Sequence, residues 1–367
     1  QVELEAGQRA LQVIANVRPD GAGTDDGDGA GQGAGGRGKQ WIGEAGGHGG
    51  ILCMRYTKDY PTIPASVQSP RRGKSALARR RYVERQVAFG PRVPGTDAHK
   101  AMRQWLVKKL KSYGANVTEQ SFNASTATIG EVRAANVIAA FNPTYARRVV
   151  LAAHWDTRFA ADEDKTGADK PSDGADDGGS GVGILLEIAR LLKENPISIG
   201  VDLVFFDAED QGSSDGGAET WCLGSQYWAQ NPHAHGYRAE YGILLDMVGA
   251  KGATFQKEDL TGVFVPGKVG RIHQHYDKVW ALARGMNKSA YFLDVKSRPI
   301  TDDHYFVNLS TDIPMIDIIN KPVDSAKGFG DHWHTHGDNM SVIDPNVLGA
   351  VGQVVTAYLY NSSATPQ

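Results

Sequence analysis

The chain has 367 residues, 22% of them charged and 41% hydrophobic, with a formal net charge of −3. That length holds one large α/β domain with additions, or two ordinary domains. The near-balance of charge supplies no positive field for nucleic acid or an anionic membrane, and no apolar run approaches the roughly 18 residues a spanning helix needs. Two cysteines, Cys53 and Cys222, cannot build a disulfide framework and stand in no zinc-finger spacing.

The first 75 residues read as a Gly-rich and basic segment, disordered or foreign to the fold. Residues 21–50 contain 14 glycines and almost no large apolar side chain, so burial cannot offset the entropy of ordering them. No signal-peptide pattern is read at the start. The basic stretch PRRGKSALARRRYVERQ (70–86) reads as a solvated charge run, and ordered structure is expected from about Tyr82 as a single domain over 82–362.

Within that domain, residues 95–115 carry apolar positions at helical spacing, with Thr96 or Asp97 as cap and Gly114 as stop. RAANVIAAFN (133–142) and RRVVLAAHWD (147–156) read as strands. A helix follows over 180–194, a strand over 201–210, a helix over 222–230 and a strand over 241–249. Then come a helix near 269–285, a short strand near 291–295, a helix near 303–309, a strand over 313–319 and a C-terminal helix over 345–361. Strands alternating with helices predict an α/β fold, a three-layer α/β/α sandwich around a mixed, mostly parallel twisted sheet.

The buried strands end in residues able to hold a metal or a proton. His154 and Asp156 follow VVLAA, Glu209 and Asp210 follow LVFFDA, and Asp246 follows GILL. Ligands of open α/β sheets bind beyond the carboxyl ends of the strands. The same place would receive the loop SDGADDGGSG (172–181), in which Asp176 and Asp177 put more negative charge at a helix start than one cap requires. His154, Asp156, Asp177, Glu209, Asp210, Asp246 and His334 form a thiolate-free candidate set that suits a catalytic zinc better than a structural one. Each taken singly could be a cap or a surface-loop residue. Adjacent residues at a strand end point in different directions, so one of Glu209 and Asp210 can hold the metal while the other moves a proton. Trp155, Trp221, Trp228, Phe329 and Trp333 are expected around a small dry pocket.

AHWDTR, DGADDGGSGVGILLEIARLL, VDLVFFDAEDQG, WCLGSQYWAQNPH, YGILLDMVGAK, ITDDHYF and FGDHWHT together resemble the bacterial branch of the animal-type, zinc-dependent glutaminyl-peptide cyclotransferases, which share a fold with the two-zinc aminopeptidases. The resemblance spans roughly 82–362. It implies one zinc held by Asp177, Asp210 and His334, with Glu209 as general acid/base. Asp246 and Asp302 would orient the reacting groups. Trp333 would face the substrate carbonyl, while Ile300, Phe329 and Trp221 line the pocket. His154 and Asp156 would be the remnant of a second metal site. It further implies peptides or proteins with N-terminal Gln as substrates, a monomer, and a periplasmic or envelope location.

Three departures stand out. The animal enzymes carry Glu where Asp210 stands, His where Asp317 stands, and a cysteine pair that is missing here. A two-zinc aminopeptidase using His154, Asp177, Asp210, Asp246 and His334 remains the rival, with two zincs per chain. A non-enzymatic binding domain with a degraded metal site is a third reading, opposed by the intact ligands and acid/base residue.

Overall fold

The computed structural model describes residues 72–325 and 327–364. The Gly-rich segment, and the expectation that it is disordered, lie outside the described residues except at 72–75. The chain starts with helix α1 (Arg72–Val87), then α2 (Asp97–Ser112), the hairpin strands β1 (Asn116–Thr126) and β2 (Gly130–Phe141), and β3 (Arg148–His154). Next are α3 (Gly179–Glu194), β4 (Gly200–Phe206), α4 (Leu223–Gln230), β5 (Gly242–Asp246) and β6 (Phe255–Glu258). The remainder is α5 (Pro266–Gly285), β7 (Phe292–Ser297), α6 (Asp303–Ser310), β8 (Met315–Ile319) and α7 (Pro345–Ala364).

Six strands make the central sheet in the order β1-β2-β4-β3-β5-β8. β4, β3, β5 and β8 run parallel, and β1 and β2 add an antiparallel edge. β6 and β7 pair parallel as a separate two-stranded sheet. Side-chain alternation sorts the two faces. Val149, Leu151 and Ala153 of β3 join one core with α3, α5 and α7, while Val150 and Ala152 join a second with Trp228 of α4 and Val307 of α6. The sheet buried on both faces is the expected α/β/α sandwich.

The basic stretch is not a solvated run. Arg79, Val83 and Gln86 are at most 1% exposed, and they recur at the spacing of one helix face. Gln86 donates to the Gly179 carbonyl (2.9 Å). α1 therefore docks on α3, and a narrow buried stripe was hidden among exposed arginines. α2 starts where expected, with the Thr96 hydroxyl accepting the His99 N–H.

α3 begins against the sheet edge, which explains its glycines. A Cβ at Gly181 would stand 2.2 Å from the Leu245 carbonyl oxygen, and Gly178 has φ +75°. The backbone turns and enters the core within four residues, a path that side chains would block.

Candidate active site

His154 ends β3, Asp246 ends β5, and the turn after β4 carries Glu209 and Asp210. These ends point the same way because their strands are parallel. The turn is built from buried acids. Asp207 accepts the Ala135 and Ala208 N–H groups and faces His99 Nε2 at 2.9 Å. Asp156 accepts the N–H groups of Glu209 (3.1 Å) and Asp210 (3.3 Å) and the Gln211 side chain. The two adjacent acids then diverge. Asp210 faces His334 Nε2 at 3.0 Å, whereas Glu209 accepts from the Cys222 thiol at 3.2 Å and lies 3.7 Å from His154 Nδ1.

Asp177, Asp210 and His334 offer ligand atoms within 4.8 Å of one another, and all three are buried. Two carboxylates and one imidazole without thiolate suit a zinc with an open position. Burial raises the Asp210 carboxyl above its ordinary range, and Asp177 adds to this against the pull of His334. A buried acid pair of this kind fits a cation. Asp338 anchors the Asp177 loop by accepting the N–H groups of Asp176 (2.7 Å) and Asp177 (3.1 Å). Asp176 does not enter the site: it accepts the Gly249 N–H and faces His332 Nε2 at 2.8 Å.

A second trio shares Asp177. His154, Asp177 and Asp246 also place ligand atoms within 4.8 Å of one another, with His154 Nε2 2.9 Å from Asp177 and 3.2 Å from Asp246. Asp156, expected beside His154 as part of a second metal site, stands outside this trio. Its oxygens are taken up by the Glu209–Gln211 turn, and its Oδ1 is 3.6 Å from His154 Nδ1.

A cavity of about 310 Å³ opens over these residues, lined among others by Asp177, Glu209, Asp210, Asp246, Asp302 and His334. Its apolar walls are Trp221, Ile300, Phe329 and Trp333, with Met247 and Ile319. Trp333 stacks on His334 at 3.7 Å between centroids and packs against Phe329 at 4.8 Å. Trp155 and Trp228 correct the sequence expectation. Both are fully buried core side chains, Trp155 stacked on His99 and Trp228 wedged against Phe206. A tryptophan beside a site residue in sequence alternates away from it in space.

The site is strongly acidic. Burial, then Asp210, Asp302 and Asp303, hold the Glu209 carboxyl well above its usual range, opposed by His154. Burial pushes Asp246 up to about 7. Behind Asp302 lies Asp317, also held well above the usual range by burial, then by Asp302 and Asp246. Asp317 points to the α4/α6 face, where His304 Nδ1 stands 3.9 Å away. His304 Nε2 contacts Glu258 at 2.7 Å. The imidazole absent at position 317 thus has a counterpart on the neighbouring helix.

The profile of peptidase family M28 matches residues 136–359. The chain belongs to peptidase family M28. Within M28 it is similar to glutaminyl cyclases. The Porphyromonas gingivalis glutaminyl cyclase structure is 49% identical, with a TM-score of 0.73, covering 77% of this chain and 97% of that one. A Zn-dependent exopeptidase structure from Parabacteroides distasonis is 46% identical, with a TM-score of 0.74, covering 78% and 98%. The glutaminyl-peptide cyclotransferase of Drosophila melanogaster is 27% identical over 272 residues, 69% of this chain and 72% of the relative. No described helix is long and apolar enough to cross a membrane.

Sequence reasoning on this M28 chain missed several residues that shape the site. Arg158 lay in AHWDTR and Asp338 three residues beyond FGDHWHT, and neither was given a role. Cys222, Asp303 and His304 lay in WCLGSQYWAQNPH and ITDDHYF, likewise without a role, and Asp162 and Glu258 carried no local pattern. Their roles come from contacts far apart in sequence, such as Glu209 with Cys222 or Asp162 with His334.

Proposed function

We propose that the chain is a glutaminyl-peptide cyclotransferase that converts N-terminal glutamine of peptides or proteins to pyroglutamate with release of ammonia. The observation that carries this reading is the joining of a three-ligand trio, a separate glutamate and an aromatic wall in one cavity of about 310 Å³. The likeness to glutaminyl cyclase structures over three quarters of the chain supports it.

Asp177, Asp210 and His334 would hold one zinc per chain. When bound there, zinc supplies Lewis-acid polarisation of the carbonyl under attack. Glu209 accepts a proton from the substrate's α-amine as that nitrogen bonds to the γ-carbonyl carbon, closing a five-membered ring. Glu209 then returns the proton to the departing amide nitrogen as the carbon–nitrogen bond breaks, giving ammonia. Its raised pKa brings it toward the working pH, where acid/base exchange is efficient. Asp246 and Asp302 flank the reacting amine, Trp333 turns its indole N–H to the carbonyl, and Ile300, Phe329 and Trp221 exclude water. The nucleophile is part of the substrate, so the site need only fold and hold it in attack geometry.

We take the described residues as one catalytic domain, with the Gly-rich segment outside it, acting as a monomer on peptide substrates. We place it in the periplasm or envelope on its resemblance to bacterial glutaminyl cyclases.

One observation favours a second reading. The trio His154, Asp177 and Asp246 shares Asp177 with the first trio, as a two-zinc aminopeptidase requires. Mass spectrometry of a Gln-initiated peptide tests the choice. The cyclase product has lost one ammonia and keeps every residue, whereas a peptidase product has lost its first residue.

A further inference from the structure

We propose that Arg158 is a positioning residue that ties the metal-ligand trio to the aromatic wall of the cavity, with Asp162 as the carboxylate through which it sets the His334 imidazole. The substrate half of this inference rests on the cyclase reading; the metal half rests on the ligand trio alone.

Arg158 is 3% exposed, and each part of its guanidinium has a separate task. Nε donates to Asp162 Oδ1 at 2.8 Å, and Nη2 donates to Asp162 Oδ2. Nη1 donates to the Asp210 carbonyl at 2.9 Å and the Gly212 carbonyl at 3.2 Å. The guanidinium carbon lies 4.8 Å from the centre of the Trp221 ring. One side chain thus reaches a carboxylate, the backbone of a ligand and a cavity wall.

The carboxylate matters because of what lies beyond it. His334 Nδ1 is 3.4 Å from Asp162 Oδ1, while Nε2 faces Asp210. A histidine that ligates through Nε2 must keep its proton on Nδ1, and the acceptor at Nδ1 fixes that tautomer and the ring plane. His334 has φ +54°, a conformation a non-glycine side chain rarely adopts, so its own backbone preference does not hold it there. The Glu163 N–H also donates to the His334 carbonyl at 3.1 Å, binding the two loops together. Asp162 is 37% exposed and would be free to turn to water without the fork from Arg158.

The wall contact is equally specific. Trp221 lies so close to Gly212 that a Cβ there would stand 2.1 Å from its ring. Trp221 packs against Gly212 and the Arg158 guanidinium, in a plane nearly parallel to the His334 ring (15°). Lysine would keep the charge but lose the planar fork and the stacking surface.

The test uses the full zinc-loaded chain with Asp162→Asn, Arg158→Lys and Arg158→Gln. Zinc retention is read by competition with a chromogenic chelator. KM and kcat for a Gln-initiated dipeptide are read at saturating zinc, and thermal unfolding checks the fold. Asp162→Asn should lower zinc affinity by about 10- to 100-fold and leave KM unchanged. Both Arg158 variants should lower zinc affinity to a similar degree and raise KM several-fold. Wild-type zinc affinity in Arg158→Lys, or an equal KM shift in Asp162→Asn, would overturn the proposal. If an Arg158 variant does not fold, the near-isosteric Asp162→Asn still decides the metal half. If the wild-type chain releases no ammonia, the cyclase reading fails while the zinc arm still returns its answer.

Discussion

Replacing Glu209 by glutamine removes the proposed base while leaving the site's shape intact. The carboxylate accepts one hydrogen bond from a described side chain, the Cys222 thiol at 3.2 Å, and the glutamine oxygen can accept it in the same place. Glutamine matches glutamate in size and shape, so the unfolding temperature should stay near that of wild type. The ligand trio does not include Glu209, so zinc content should also be retained. What is lost is proton transfer, worth about 10²- to 10⁴-fold in kcat, or roughly 3 to 5 kcal/mol of barrier. The assay is ammonia release from a Gln-initiated dipeptide, with metal content measured on the same sample. Unchanged turnover would refute the assignment. Loss of zinc together with turnover would show that the roles of Glu209 and Asp210 are divided wrongly.

His334→Ala should lose bound metal by elemental analysis, because it removes the only imidazole of the ligand trio and leaves two buried carboxylates facing each other. Asp302→Ala should reduce kcat more than Asp317→Ala, since Asp302 lines the cavity and Asp317 stands behind it; the reverse order would place the working proton on Asp317 and His304. A stability effect comes from His275, whose pKa burial lowers to about 4 from 6.5, with Lys278 adding to the shift. Its Nδ1 lies 2.7 Å from the Tyr358 hydroxyl. The unfolded chain binds more protons between these values, so stability is complete above pH 6.5 and falls by up to about 3 kcal/mol as the pH drops to 4. Denaturant titrations across that range should show the loss, and His275→Gln should flatten it.

The parallel core was readable because apolar strand runs and helical periodicity leave a dense local record. β3, β4, β5 and β8 and the helices between them all stand close to where sequence places them. β1 went unread because it is an edge strand whose first half is polar, with buried positions only from Phe122 onward. β6 has four residues, too few for a period. α1 was hidden because its buried face includes an arginine, a residue type that is rarely fully buried. In the site, strand-end position brought Glu209, Asp210 and Asp246 into one cavity, where the loops carrying Asp177 and His334 meet them. It could not separate a residue that faces the cavity from one that braces the backbone. Asp156 and Asp210 both follow a strand end, yet the first holds up the turn that presents the second. That difference rests on φ/ψ values at positions such as Ala208, at φ +54°, which sequence does not state.

The central claim is that this M28 chain closes a ring rather than hydrolysing a bond. Ammonia release from a Gln-initiated dipeptide and amino-acid release from a Leu-initiated one, measured side by side on zinc-loaded protein with metal stoichiometry, test it most directly. Ammonia without free amino acid, at one zinc per chain, is the predicted result. Free amino acid without ammonia, at two zincs per chain, would contradict it and place His154 and Asp246 on a second metal.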